Sequence, residues 1–333
     1  MNPEPSEIES EIRAQVADAT HDSQGHFTID RKHALRKLRG FLLPSPTFWV
    51  LKVVQAAVAA GANQVVILQT PSTTEIRFLP EQKWTVAGLE VALLAPEDER
   101  DRAVNHFKRG LWALTMQVDG FLLTLPGQSP STLCWDGEHL NRIERPSEES
   151  LVLTVQHANV DSRWCRKFLE VLQLRAYTCP IPLSVNGRRI DGLQRDNSHG
   201  NKPVSHAYQL SLVDLEGLPQ LDIPPSSYEK APPAGAICHL RFPLERPRQA
   251  SAACLLSLKV GAPHGLLQSF LHWVLDGVIL TSQPLYAHGH NCWCSLYASA
   301  AGLPLDLGGF QITDTSRTAG LAYQIGLAFY TKL

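Results

Sequence analysis

The stretch WVLKVVQAAVAAGANQVVIL, residues 49–68, followed by TTEIRF at 73–78, carries the pattern on which the fold turns. Pro44 and Pro46 interrupt the chain just before it, so the apolar run TFWVLKVVQAAVAAGA starts as a new helix. Gly61 is placed to end that helix in a left-handed C-cap, because glycine alone carries no Cβ penalty there. QVVILQ follows at once and TTEIRF after a short polar turn, and both have the β-branched, period-two composition of strands.

Working outward, TVAGLEVALLAP at 85–96 reads as a third strand, and FLLTLP, STLCW and SLVLTVQH supply three more, each bounded by turn residues. AVNHFKRGLWALTM, residues 103–116, lies among them as a helix with one interior glycine. SRWCRKFLEVLQLRAY follows as another, capped by Asp161 or Ser162, with Trp164, Phe168, Val171 and Leu172 as its core stripe. CPIPLSVNGRRI then gives a strand and an Asn-Gly turn. Upstream, residues 4–19 and RKHALRKLRGF at 31–41 have helical spacing, and the second puts a basic cluster on its outer side. This order predicts an α+β chain whose main domain is a two-layer α/β sandwich.

Domain limits follow from composition. Residues 1–25 form an N-terminal helix and linker, and 26–190 the sandwich domain. Residues 191–235, rich in Pro, Ser, Asn and Gly, read as a connector with at most one strand, AYQLSLVDL. Residues 236–333 form a smaller α/β domain with strands AICHLRFPL, ACLLSLKV and CWCSLYA, the apolar segment LLQSFLHWVLDGVIL and a closing helix GLAYQIGLAFYTKL. In the loop GLPLDLGGFQI, Asp306 is placed to cap neighbouring backbone amides.

The 49–78 segment resembles the first signature of the GHKL (Bergerat-fold) ATPase superfamily, which includes MutL mismatch-repair proteins, ninety-kilodalton heat-shock chaperones, type II topoisomerases and histidine kinases. In that family a helix reading E-x-x-x-N-x-x-D-A leads, in MutL through Gly-Ala, into a strand. The resemblance implies a sandwich of histidine-kinase and heat-shock-chaperone type, with a transducer-like domain at 236–333. Aligned through Ala60, Gly61 and Ala62, it places Lys52 at the catalytic glutamate, Ala56 at the Mg-binding asparagine and Ala59 at the aspartate. Those positions share one helix face. Alanine offers Mg no oxygen, and a lysine cation takes no proton from attacking water.

The family's D-x-G-x-G has no counterpart in LPEQKWTV, where Pro80, Gln82 and Lys83 stand instead. Its phosphate-holding glycine stretch would fall at HFKRGLWAL, which keeps Gly110 alone, preceded by Lys108 and Arg109. ESLVLTVQ sits where the family has its Gly-Thr-x-Val strand, and AYTCPIPLSVNGRRI resembles the Pro-Ile strand and Asn-Gly turn that close the chaperone's domain. The resemblance thus implies a degenerate nucleotide pocket around Lys52, Ala56, Ala59, Gly61, Arg109 and Gly110, with no catalytic residue, no metal and no cofactor. A non-catalytic scaffold or protein-binding module is the function expected. A divergent chaperone-like ATPase using ATP with Mg is the alternative. A plain core helix, whose alanines let it pack closely on a sheet, also accounts for VVQAAVAAGA.

Net charge of -2 with 19% charged residues gives no nucleic-acid or membrane footprint, so a protein partner is expected and nucleic acid is not. The opening MNPEPSEIESEIRAQ is acidic where a signal peptide is basic, and no run stays apolar for the roughly 18 residues a span needs, which predicts a cytoplasmic protein. Seven irregularly spaced cysteines predict free thiols. In AHGHNCWC, His288, His290, Cys292 and Cys294 could ligate zinc, but their alternation fits a strand better. There is no G-x-S-x-G elbow, and His157, His239, His264 and His272 are scattered.

Overall fold

A computed structural model describes residues 43–95, 97, 101–127, 132–146, 148–157, 162–195, 205–228, 238–241, 249–260, 269–285 and 292–330. The helices expected at 4–19 and 31–41, and His264, His288 and His290 with them, lie outside the described residues. The fold is α+β, with mixed sheets and helices in one chain.

The first sheet has eight strands: β1 (Val65–Gln69), β2 (Thr73–Phe78), β3 (Gly120–Thr124), β4 (Thr132–Trp135), β5 (Leu140–Ile143), β6 (Leu151–Gln156), β7 (Leu183–Val185) and β8 (Arg188–Arg189). Their spatial order is β5-β4-β3-β6-β2-β1-β7-β8, antiparallel except where β1 runs parallel to β7. Period-two burial sends Val65, Ile67, Ile76, Phe78, Phe121, Leu123, Leu151, Leu153 and Val155 into the core. Helices α1 (Trp49–Ala59), α2 (Val86–Leu94), α3 (Arg102–Leu114) and α4 (Ser162–Arg175) contribute to the same core.

Two turns anchor this sheet as the sequence predicts. Gly61 adopts φ +74°; its N–H donates to Val58 and that of Ala62 to Ala57, so α1 closes with both bonds of a Schellman motif. Asn186 and Gly187 both take positive φ in the β7–β8 hairpin, and the Asn186 side chain bonds both backbone groups of Gln69.

One element differs. TVAGLEVALLAP, expected as a strand, forms α2. Thr85 caps it by accepting from the Gly88 N–H at 3.1 Å. Its apolar residues run almost without a break and so carry neither period, and the N-cap decides the outcome.

The second sheet has six strands in the order β11-β9-β13-β16-β14-β15. These are β9 (Ser205–Val213), β11 (Cys238–Arg241), β13 (Ala252–Val260), β14 (Ser269–Leu275), β15 (Val278–Leu285) and β16 (Cys292–Ser299); β10 (Leu221–Asp222) and β12 (Gln249–Ala250) pair separately. Within LLQSFLHWVLDGVIL, the residues from Ser269 onward enter the β14–β15 hairpin, turned by Asp276 and Gly277, both at positive φ.

Both faces of the second sheet are buried. Ala252, Cys254, Leu271, Trp273 and Leu296 join the core of the first sheet and its helices, as do Ile325 and Phe329 of α5 (Thr315–Tyr330). Ala253, Leu255, Val274, Ile279 and Tyr297 point the other way, onto Leu193, Leu221, Ile223 and Tyr228. Within 191–235, expected as a connector with at most one strand, the expected strand forms as β9, and the described residues Leu193, Leu221, Ile223 and Tyr228 cover the far face of the sheet. Short 3-10 turns at Leu193–Arg195 and Pro225–Tyr228 set two of these cover residues, Leu193 and Tyr228. Asp191, fully buried, ties that cover down by accepting from the Ser226 hydroxyl, the Leu183 N–H and the Arg189 guanidinium.

Candidate functional site

Of the six residues singled out by sequence, Lys52, Arg109 and Gly110 come together, whereas Ala56 and Ala59 lie further along α1 and Gly61 at its cap. Lys52 and Ala56 lie fully buried on α1, Ala59 is partly buried one turn on, and Gly61 is exposed at the cap. Gly110 lies in the middle of α3, not at a helix N-terminus. A Cβ there would stand 3.1 Å from the Trp49 carbonyl oxygen and 3.2 Å from Lys52 Cβ, so the glycine lets α3 approach α1. Arg109 forms a two-pronged ion pair with Glu97.

The space beside Lys52 is occupied by the loop ahead of α5. Lys52 Nζ donates to the Gly309 carbonyl at 3.0 Å and lies 4.1 Å from the Phe310 ring centroid. Phe310 is 2% exposed and meets Phe48 edge-on at 5.1 Å. Gly309 has φ +65°, and a Cβ on it would fall 2.8 Å from Lys52 Nζ and 2.6 Å from an Arg109 nitrogen. At this positive φ a side chain is strained, and a Cβ would push the Lys52 and Arg109 ends aside.

As the sequence predicts, Asp306 caps the loop: one carboxylate oxygen accepts from the N–H groups of Phe310 and Gln311, at 2.8 and 2.9 Å. Gly309 N–H donates to the Asp306 carbonyl, and Leu305 bridges Ile312.

A second contact lies one turn along α1. Gln55 Nε2 donates to the Leu275 carbonyl at 3.0 Å, the Thr178 hydroxyl to that of Gly277 at 3.0 Å, and Arg175 to those of Ile279 and Leu280. Asp276 receives Arg102 on one oxygen and His106 Nε2 on the other, both at 2.9 Å. The hairpin turn is thus gripped by side chains of α1, α3 and α4 and by Thr178. Gln55, His106, Arg175, Asp276 and Phe310 were not singled out from sequence; the Asp-Gly pair inside an apolar run was the one available signal.

Burial dominates the electrostatics. Desolvation, with Arg109 adding, lowers the Lys52 pKa to about 7 against the opposing pull of Asp306, Asp276 and Glu97. Desolvation likewise lowers His106 to about 4, although its bond to Asp276 favours the charged form. Both side chains therefore favour neutrality in the folded chain more than they do in water. His106 Nδ1 and Gln55 Oε1 are buried with no hydrogen-bond partner.

This set does not fit Mg-ATP. Among Lys52, Ala56 and Ala59 no side chain offers an oxygen to a metal, and the amine that could meet a phosphate is engaged by a backbone carbonyl under a phenyl ring. Elsewhere, His157 Nε2 and the Thr74 hydroxyl pair at 2.7 Å, and His272 Nδ1 pairs with Ser282 Oγ at 2.7 Å, so each is a bonded core histidine. Among the described residues no group of three His, Cys, Asp or Glu side chains could hold a metal, and no helix is long and apolar enough to cross a membrane.

No family model matches this chain, and no curated protein matches it. Among the solved structures that match is one described as the N terminal domain of a DNA repair protein. It is 14% identical over 89% of this chain and 96% of that one, with a TM-score of 0.42. A likeness that distant carries nothing about activity or family.

Proposed function

We propose that the chain is a non-catalytic scaffold or protein-binding module of GHKL type, in which the nucleotide site is degenerate and filled from within. The observation that carries this reading is the seat of Phe310 and Gly309 against Lys52. The position that would hold the family's general base bears an amine bonded to the chain's own backbone. Ala56, at the metal-ligand position, is fully buried and contributes only packing.

The protein-binding half is supported by the outer side of α5. Tyr323 and Leu327 are 72% and 52% exposed beside an apolar groove of about 500 Å³ formed with Gln283, Pro284 and Leu285 of β15. A net charge of -2 supports a protein partner over nucleic acid. The free thiols of Cys134, Cys165, Cys179, Cys254 and Cys294 support a reducing, cytoplasmic setting.

Titration calorimetry with Mg-ATP and Mg-ADP tests the reading. No heat of binding is expected at millimolar nucleotide. Submillimolar, Mg-dependent binding would favour a divergent ATPase instead.

A further inference from the structure

We propose that the Pro304–Thr313 loop is a proton-linked lid, which seats and unseats as one body over α1 while the charge state of Lys52 sets how firmly it sits. The inference rests on the loop's own geometry and is independent of the ancestry of the pocket beneath it.

The loop is held together internally. Thr313 N–H and hydroxyl both bond the Pro304 carbonyl, Asp306 N–H bonds Gln311, and the Asp306 carboxylate gathers the amides of Phe310 and Gln311. These bonds survive if the loop lifts away. Its tip is solvent-facing, with Leu307 76% exposed. Among the described residues, one hydrogen bond joins the loop to the helices below, from Lys52 to Gly309. The remaining hold is Phe310, edge-on to Phe48 and 4.1 Å from the Lys52 amine, with Leu305 and Ile312 partly buried against the same core.

Seating the lid buries Lys52. Charged or titratable groups face it from each neighbouring element: His106 and Arg109 from α3, Glu97 ahead of α3, Asp276 from the hairpin turn and Asp306 from the lid itself. Below the lid the Lys52 pKa is about 7, against 10.5 for an ordinary lysine. Unseating returns the amine toward water and therefore takes up a proton between those values. Rising pH across that window drives the lid shut, and below about 7 the dependence vanishes.

Fluorine NMR of a 4-fluorophenylalanine placed at position 310 of the full chain reads the exposed population directly. The ratio of exposed to seated ring is expected to fall about tenfold or more between pH 7 and pH 9. Lys52→Met should remove that dependence. Gly309→Ala, which crowds Lys52 and Arg109 without changing either, should raise the exposed population at both values. A population that does not change with pH in the unmodified chain overturns the proposal, whether or not Lys52→Met folds. So does a slope that persists in Lys52→Met, or an exposed state detected in neither the unmodified chain nor Gly309→Ala.

Discussion

Two elements of the second sheet region touch the helices of the first, and they do so by different means. The β14–β15 turn presents four carbonyls and a carboxylate, each met by a side chain of the first region: Gln55, Thr178, Arg175, and the pair Arg102 and His106. The 304–313 loop presents one carbonyl and one ring to Lys52. The first is an anchor, because breaking it strands several buried polar groups at once. The second is a plug, held by shape and by one amine for which burial is costly.

The largest effect that would break this contrast is expected at Phe310. Phe310→Ala should cost about 3 kcal/mol in urea unfolding, since a packed ring leaves a cavity that unseating of the loop then relieves. A loss under about 1 kcal/mol would mean that the ring is not seated.

Next comes acid. His106 is neutral when folded, and the unfolded chain binds the extra proton between about pH 4 and 6.5. Stability should therefore fall as pH drops through that window, by on the order of 3 kcal/mol, and the histidine's contribution should level off below it. Unfolding midpoints of the parent and His106→Gln, compared from pH 7 to 4, isolate this share; identical slopes would contradict it.

A matched pair sharpens the comparison further. Thr178→Val leaves the Gly277 carbonyl without its donor and should cost about 1–2 kcal/mol. Lys52→Met removes a desolvated amine and should cost less than about 1 kcal/mol or stabilise. The reverse ranking would exchange the labels of anchor and plug. At the small end, Gly61→Ala forces an L side chain into φ +74° and should cost about 1 kcal/mol, measurable as a shift in Tm.

Legibility in the sequence followed the same division. The α1–β1 unit was readable because its breaker, cap and strand signals follow one another without interruption from Pro44 to Gln69, as was the Asn186-Gly187 turn. The helix at α2 was not, because VAGLEVALL has no polar residue on which a period could register apart from Glu90. The role of 191–235 was hidden because its apolar residues, Leu193, Leu221, Ile223 and Tyr228, are spaced by turns and gain meaning only from the sheet face they cover. Lys52 was legible as a departure from a family pattern. What meets it, Gly309 and Phe310, is 257 and 258 residues further on, and no local pattern carries a contact of that range. Asp306 was readable as a cap of its own loop, yet nothing in LPLDLGGF says where that loop lands.

A structure determined from crystals soaked in millimolar Mg-ATP tests the filled site most directly. The expected result is Phe310 against Phe48, the Gly309 carbonyl on the Lys52 amine, and no nucleotide density along α1. Triphosphate density beside Lys52 and Ala56, with the loop displaced, would contradict it.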